Sequence, residues 1–201
     1  MGYIKISTED LMGWLKENLS EERYEHSLGT ADSAKLLAEQ YGEDVEKAYV
    51  AGLLHDCAKC FTTEKLLEII DANLNIEEAE KENYKTLHAP VSAFIAKTEF
   101  GVEDDEILSA IRWHTLGNPN MTTFEKIIFL ADKVENRTRE TWYADPIREF
   151  LKEENGLNKA MLQCYKQTIK SLVDRDLKIC PLTIEIYNSL QRELSVTKFN
   201  K

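Results

Sequence analysis

Apolar side chains recur at spacings of three and four residues along nearly the whole chain, and this periodicity constrains the fold more than any other feature. Such spacing places the apolar residues on one face of an α-helix, whereas a half-buried strand needs strict alternation of apolar and polar residues. That alternation is almost absent, and residues that start or stop helices separate the periodic segments. The sequence therefore predicts an all-α fold.

Capping residues predict the helix boundaries. Thr122 and Glu125 have the spacing of a capping box, and Gly42 and Gly101 are typical of helix ends. The acidic stretch from 77 to 82 is interpreted as a solvated helical face, and a frayed tail is expected after Ser195. Helices are predicted to begin at or near Ser7–Thr8, Ser20, Asp44, Thr62–Thr63, Pro90, Asp104, Thr122, Asp145–Pro146, Leu157 and Pro181.

Charge and hydropathy narrow the class of protein. With 36 acidic and 25 basic residues the net charge is −11, which argues against a nucleic-acid partner because phosphate neutralisation needs a positive surface. No apolar run is long enough to span a membrane or to form a signal peptide, so the expected location is the cytoplasm. The four cysteines are too few for a disulfide framework. Cys57 is interpreted as a small packed apolar residue and Cys60 as incidental, rather than as a zinc or redox pair.

Histidines and aspartates interrupt apolar helical segments. His55 and Asp56 directly follow the apolar segment 51–54, where an unpaired polar group costs several kcal/mol, about 2–7. A histidine bonded to a carboxylate would explain one such pair, but six residues in similar settings favour a metal site. Imidazole and carboxylate ligands suit first-row transition metals and support metal-assisted hydrolysis or oxygen chemistry. The candidate ligands are His26, His55, Asp56, His88, His114 and Asp132.

The order of these six residues resembles the metal-binding signature of the HD-domain superfamily in its dinuclear form. The segments 23–28, 51–59, 87–90, 111–117 and 131–135 closely resemble YqeK-type bacterial HD proteins. The resemblance implies an HD-domain helical bundle with a dinuclear metal site between its central helices. The chain is then expected to be one domain over residues 1–201, with a metal-site core at about 20–140 and helices at about 145–195 packing on it.

The same resemblance implies an enzyme that cleaves diadenosine tetraphosphate symmetrically into two ADP, by attack of a metal-activated hydroxide. Two metal ions are expected, with iron as the associated metal and manganese or another divalent ion as the alternative. Asp56 is the expected bridge, because a carboxylate has two oxygens to share. His26, His55 and Asp132 would complete one shell, and His88 and His114 the other.

Several further residues are candidates for phosphate contact. Lys59, three residues after Asp56, would place a cation at the scissile phosphates, which makes it a catalytic candidate together with Asp56. Arg23 would bind phosphate or pair with a ligand carboxylate, and Thr115 and Gly117 would allow close approach of phosphate oxygens.

The segment after Asp132 departs from the family pattern. The family usually places an arginine where this chain has Thr138, so Arg137 or Arg139 is expected to substitute for it. Glu135 is expected to orient a metal ligand or Lys59. Trp142 and Tyr143 are candidates for an adenosine platform by residue type alone.

Three alternatives remain open. They are a phosphohydrolase of nucleoside di- or triphosphates, a diiron oxygenase, and a nucleotide-sensing module without catalysis. Lys59 and the segment with Arg137 and Arg139 favour a phosphate-bearing substrate, so the expected partner is a small nucleotide. Homodimer formation is left open by the sequence.

Overall fold

A computed structural model describes residues 2–199, with side chains described through residue 195. This part of the chain forms eleven α-helices and one short 3-10 helix, with no strand among the described residues, which confirms the all-α prediction. The elements are α1 (Thr8–Asn18), α2 (Glu21–Tyr41), α3 (Val45–Leu54), α4 (Thr63–Asn73), α5 (Glu78–Lys81), η1 (Tyr84–Thr86), α6 (His88–Thr98), α7 (Asp105–Trp113), α8 (Thr123–Val134), α9 (Thr141–Leu151), α10 (Gly156–Asp174) and α11 (Pro181–Phe199).

Helix α3 lies at the centre, in contact with α2, α6, α7 and α8. Its second half, from Val50 to Leu54, is completely buried. Gly52 allows α2 to approach closely, because a Cβ atom at this position would lie 2.6 Å from Cα of Ala31. The buried end of α3 therefore delivers the two residues that follow it, His55 and Asp56, into the middle of the bundle.

Local capping accounts for most helix starts. Thr122 and Glu125 form the predicted capping box, and Gly42 ends α2 with a positive φ of 75°. The side chains that accept a backbone N–H in the first turn belong to Ser7, Ser20, Asp44, Thr62, Asp104 and Thr122.

The start of α9 differs from the prediction. The helix begins at Thr141 rather than at Asp145–Pro146, so Pro146 lies inside it. A proline within a helix removes one backbone hydrogen bond. Here Pro146 is on the exposed side of α9, while Ala144 and Ile147 are buried, and burial of that apolar face extends the helix toward its N-terminus.

The acidic stretch from 77 to 82 also differs from the prediction of a solvated face. Only Glu78–Lys81 is helical, and Glu80 is buried because Arg112 on α7 donates to its carboxylate at 2.5 Å. A tertiary ion pair thus compensates a charge that the local sequence places at the surface.

The C-terminal helices pack on the rest of the bundle. Helix α10 contacts α8, α9 and α11, and the rings of Phe129 and Tyr165 stack between α8 and α10 with centroids 5.6 Å apart. Helix α11 continues to Phe199, past the predicted start of a frayed tail, and residues 200–201 lie outside the described residues. The organisation as one domain stays a prediction that these contacts favour. None of the described helices is long and apolar enough to span a membrane.

Candidate metal centre

Six polar side chains from five helical segments meet in the interior of the bundle. Each is at most 4% exposed, although imidazoles and carboxylates are rarely buried so completely without partners. They are His26 from α2, His55 and Asp56 directly after α3, His88 at the start of α6, His114 directly after α7, and Asp132 from α8.

The six side chains form two adjoining groups. In the first, Nε2 of His26 lies 3.0 Å from Oδ1 of Asp132 and 3.3 Å from Nε2 of His55. The second contains His55, Asp56 and His114, and Nε2 of His88 lies 3.2 Å from Nε2 of His114. The sequence predicts His55 as a ligand of the first group. In the structure its ring lies within reach of the ligand atoms of both groups.

Asp56 lies between the two groups and presents one oxygen to each. Its Oδ1 atom is 2.9 Å from Nε2 of His88 and 3.4 Å from Nε2 of His114. Its Oδ2 atom is 3.7 Å from Nε2 of His55 and 3.8 Å from Nε2 of His26. A carboxylate in this position is suited to contact two neighbouring cations.

Hydrogen bonds outside the cluster set the tautomers of three histidines. Nδ1 of His55 lies 2.6 Å from the carbonyl oxygen of Gly52, and Nδ1 of His114 lies 2.7 Å from that of Ile111. Nδ1 of His26 lies 3.2 Å from Oε1 of Glu135. Since these oxygens only accept, each Nδ1 carries a proton, and in the neutral ring Nε2 directs a lone pair into the cluster.

The cluster keeps two of its imidazoles neutral and its aspartates ionised. Burial lowers the pKa of His55 to about 3 and that of His88 to about 4. Burial acts to raise the pKa of Asp56, but the surrounding histidines outweigh it and hold this pKa well below its usual value. Asp132 shows the same balance, with Lys133 and Arg139 as the stabilising charges. Neutral imidazole and ionised carboxylate are the forms that bind metal ions.

His26 behaves differently from His55 and His88. Burial lowers its pKa, but hydrogen bonds to Asp132 and Glu135 outweigh burial and raise it above the ordinary 6.5. Glu135 is itself completely buried and accepts the backbone N–H of Arg137 at 2.6 Å. Glu135 therefore orients His26, one of the two roles expected for it.

An unsatisfied oxygen shows that the cluster fits a cation. Oδ1 of Asp56 is buried without a hydrogen bond, and Nε2 of the neutral His55 ring directs its lone pair into the cluster, 3.3 Å from Nε2 of His26. A divalent ion among these atoms would accept both kinds of lone pair. The imidazole and carboxylate donors are of the kinds that first-row transition metals prefer.

Four cationic side chains surround the cluster. Nη1 of Arg23 lies 3.2 Å from Oδ2 of Asp56, and Nζ of Lys59 lies 3.2 Å from Nε2 of His88. Arg139 and Lys133 each donate to Asp132, on opposite oxygens. Lys133 was not among the candidates predicted from the sequence. Its position directly after Asp132, within the segment 131–135, could have indicated it.

The two candidate arginines point to different places. Arg139 contacts Asp132 and lies 3.4 Å from Nε2 of His26. Arg137 instead forms surface ion pairs with Glu25 and Asp32, each at 2.8 Å. The structure therefore places Arg139 at the cluster.

Thr115 and Gly117 lie in the turn after His114. Gly117 has φ of 80°, its N–H donates to the carbonyl of Trp113, and a Cβ atom here would lie 2.1 Å from Oη of Tyr165. This glycine is explained by packing, whereas the Thr115 hydroxyl is buried without a hydrogen bond. Phosphate contact by either residue stays a prediction.

The two aromatic candidates also differ in their surroundings. Trp142 is 74% exposed, whereas Tyr143 is partly buried and burial raises its pKa. The structure gives neither ring a contact that identifies an adenosine platform.

Sequence comparison finds a family model and several named proteins that are similar to this chain. The HD domain family model matches residues 23–137. The chain is 36% identical over 185 residues to a Bacillus subtilis protein named symmetrical bis(5'-nucleosyl)-tetraphosphatase, covering 92% of this chain and 98% of that protein. A Staphylococcus aureus protein of the same name is 36% identical over 173 residues, covering 86% of this chain and 89% of that one.

A solved structure has the same fold. It is described as a predicted HD superfamily hydrolase involved in NAD metabolism from Clostridium acetobutylicum, and it superimposes with a TM-score of 0.88 at 40% identity. The match covers 94% of this chain and 98% of the other. The similarity therefore extends beyond the cluster of candidate metal ligands to the C-terminal helices.

Proposed function

The chain belongs to the HD domain family, and from this premise we propose that it is a metal-dependent hydrolase that cleaves diadenosine tetraphosphate symmetrically into two ADP. The observation that carries the proposal is Asp56, which presents one carboxylate oxygen to each of two ligand groups. The activity named for the Bacillus subtilis and Staphylococcus aureus relatives supports the choice of substrate.

The cluster has donors for two divalent ions, with iron as the proposed metal and manganese as the alternative. His26, His55 and Asp132 would hold one ion, His88 and His114 the other, and Asp56 would contact both. Bound ions of this kind lower the pKa of water and neutralise charge that develops on phosphoryl oxygens. Glu135 and the carbonyls of Gly52 and Ile111 keep three of the imidazoles oriented.

The surrounding cations would bind the substrate. Arg23, Lys133 and Arg139 pair with ligand carboxylates in the structure, and Lys59 lies against His88. A polyphosphate at the cluster would offer these side chains a second set of anionic oxygens. Lys59 is proposed as the catalytic cation, because it lies beside the ligand group that contains His88.

These four cationic side chains also bear on the choice between a hydrolase and a diiron oxygenase. A diiron oxygenase with a neutral substrate has no use for four cationic side chains at its metal ligands, so a phosphate-bearing substrate fits better. Hydrolysis of nucleoside di- or triphosphates would use the same cluster and is distinguished by substrate alone. The cytoplasmic location and the absence of nucleic-acid partners remain predictions from the sequence, which leaves homodimer formation open.

The test is product analysis with metal-reconstituted protein. Incubation with diadenosine tetraphosphate and separation by anion exchange is expected to give ADP as the sole nucleotide product. Metal-stripped protein and His55→Ala serve as controls and are expected to be inactive. Formation of AMP and ATP would overturn the proposal, as would cleavage of another nucleotide with no turnover of diadenosine tetraphosphate.

A further inference from the structure

A small cavity of about 200 Å³ adjoins the metal centre. Lys59 and His88 line it on the side of the cluster. Sites for drug-sized ligands measure ~300–1,000 Å³, so this cavity has room for only part of such a molecule. Its other lining residues are Phe61, Thr63, Leu66, Tyr84 and Lys85.

A second cavity of about 680 Å³ adjoins the first one. Tyr84 and Lys85, both in the short helix η1, line the two cavities and lie between them. Apolar side chains of the loop between α10 and α11 form part of the second cavity, including Leu177 and Ile179. The two cavities therefore follow one another from His88, past Tyr84, to this loop.

The charge along this path is opposite to that of the chain as a whole. Four cationic side chains line the two cavities, namely Lys59, Lys85, Arg175 and Lys178. Glu82 is the one carboxylate among the lining residues of these two cavities. In a chain with net charge −11, this local excess of cations matches an extended polyanion.

Tyr84 provides a surface of a different kind. Its side chain is 58% exposed, and no aromatic ring of the described residues stacks on it. Exposed aromatic rings beside cations are typical of sites that stack nucleobases and bind their phosphates.

We propose that the two adjoining cavities form the binding arm for one nucleoside end of the substrate, with Tyr84 stacking on the purine base and Lys85 contacting the polyphosphate. This inference rests on the proposed function for the identity of the polyphosphate. Tyr84 would add affinity for ligands that carry a base, whereas the cations bind phosphate with or without a base.

The test compares a ligand with a base and a ligand without one. Dissociation constants of ADP and of inorganic tripolyphosphate are measured by calorimetry on manganese-loaded wild type, Tyr84→Ala and Tyr84→Phe. Tyr84→Ala is expected to weaken ADP binding by about 5- to 150-fold, the range for loss of one stacking ring, and to leave tripolyphosphate binding unchanged. Tyr84→Phe keeps the ring and is expected to bind ADP nearly as wild type.

Two further variants control for indirect effects. Lys85→Ala is expected to weaken both ligands, and Leu36→Ala, an exposed apolar residue of α2 outside both cavities, is expected to weaken neither. Metal content and the melting temperature of each variant are measured alongside. Unchanged ADP binding in Tyr84→Ala, or an equal loss of ADP and tripolyphosphate binding, would overturn the role of Tyr84.

The two proposals fail separately. If wild type cleaves diadenosine tetraphosphate while Tyr84→Ala binds ADP normally, the binding arm is wrong and the proposed function stands. If Tyr84 is needed for ADP binding while diadenosine tetraphosphate is not cleaved, the nucleoside site stands and the proposed function is wrong.

Discussion

Oδ1 of Asp56 lies 2.9 Å from Nε2 of His88, and yet this buried oxygen has no hydrogen bond. Burial lowers the pKa of His88 to about 4, so at neutral pH this ring is uncharged and does not offset the charge of the carboxylate. An ionised carboxylate oxygen is costly in the protein interior unless a cation or a hydrogen-bond donor compensates it. The arrangement therefore favours a cation at this oxygen.

Removal of Asp56 is expected to empty the site. Asp56→Ala deletes the oxygens that face both ligand groups, so bound metal should fall from the proposed two ions per chain to one or fewer. Metal is measured by mass spectrometry after reconstitution, and circular dichroism checks that helical content survives. Asp32→Ala, at a half-exposed carboxylate paired with Arg137, is the control and should keep its metal. Full occupancy in Asp56→Ala would contradict the bridging role.

The two arginines after Asp132 are expected to differ in activity. Arg139→Ala removes a cation at the cluster and should lower kcat/KM for diadenosine tetraphosphate by about 10- to 100-fold, since hydrogen bonds to charged groups are worth ~1.5–3 kcal/mol. Arg137→Ala removes a surface ion pair with Glu25 and Asp32 and should have a much smaller effect. Steady-state kinetics measure both losses. A larger loss in Arg137→Ala would indicate Arg137 as the phosphate ligand, and equal losses would contradict the assignment to Arg139.

Metal binding at pH 6.5 is expected to release protons from His26. A ligating histidine must be neutral, and hydrogen bonds to Asp132 and Glu135 raise the pKa of His26 above its ordinary 6.5, so more than half of the metal-free protein holds a proton there at that pH. His55 and His88 contribute none, because their pKa values of about 3 and about 4 leave them neutral. Metal affinity should therefore increase with pH until His26 is deprotonated. Calorimetry in buffers of different ionisation enthalpy measures the number of protons released.

Glu135→Gln tests whether the Glu135 carboxylate is what raises the pKa of His26. Loss of the charge beside Nδ1 of His26 lowers its pKa, so fewer protons should be released, and metal affinity should fall by about 10- to 100-fold. Glu25→Gln, on the surface beside Arg137, is the matched control. Identical proton release in wild type and Glu135→Gln would be incompatible with this account.

Substitutions of Gly117 and Tyr165 are expected to have non-additive effects on the free energy of unfolding. Gly117→Ala places a Cβ atom at positive φ and against Oη of Tyr165, and should lower the free energy of unfolding by about 2–4 kcal/mol. Tyr165→Phe removes the clash together with the hydrogen bond to the carbonyl of Leu116. The double variant should therefore lose less stability than the two single variants combined. Strict additivity in urea denaturation would show that Gly117 is not held by this contact.

Local sequence was enough to predict the helices that are defined by their own caps and periodicity. The capping box of Thr122 and Glu125 and the helix end at Gly42 depend on residues within one turn, so no distant partner is needed to recognise them. The six candidate ligands were also recognisable in the sequence. Buried imidazoles and carboxylates at apolar helix ends need a common partner, and their order resembles one family.

Contacts between distant residues decided the rest. Glu80 is buried only because Arg112 reaches it from α7, and α9 extends past Pro146 because its apolar face packs on the bundle. Arg137 and Arg139 are two residues apart, so the turn that follows α8 had to be known before Arg139 could be placed at Asp132. The sequence by itself determined the helices and the chemistry of the ligands, because both follow from short-range geometry and side-chain type. Only the tertiary structure decided which charges meet, because that depends on how the helices pack.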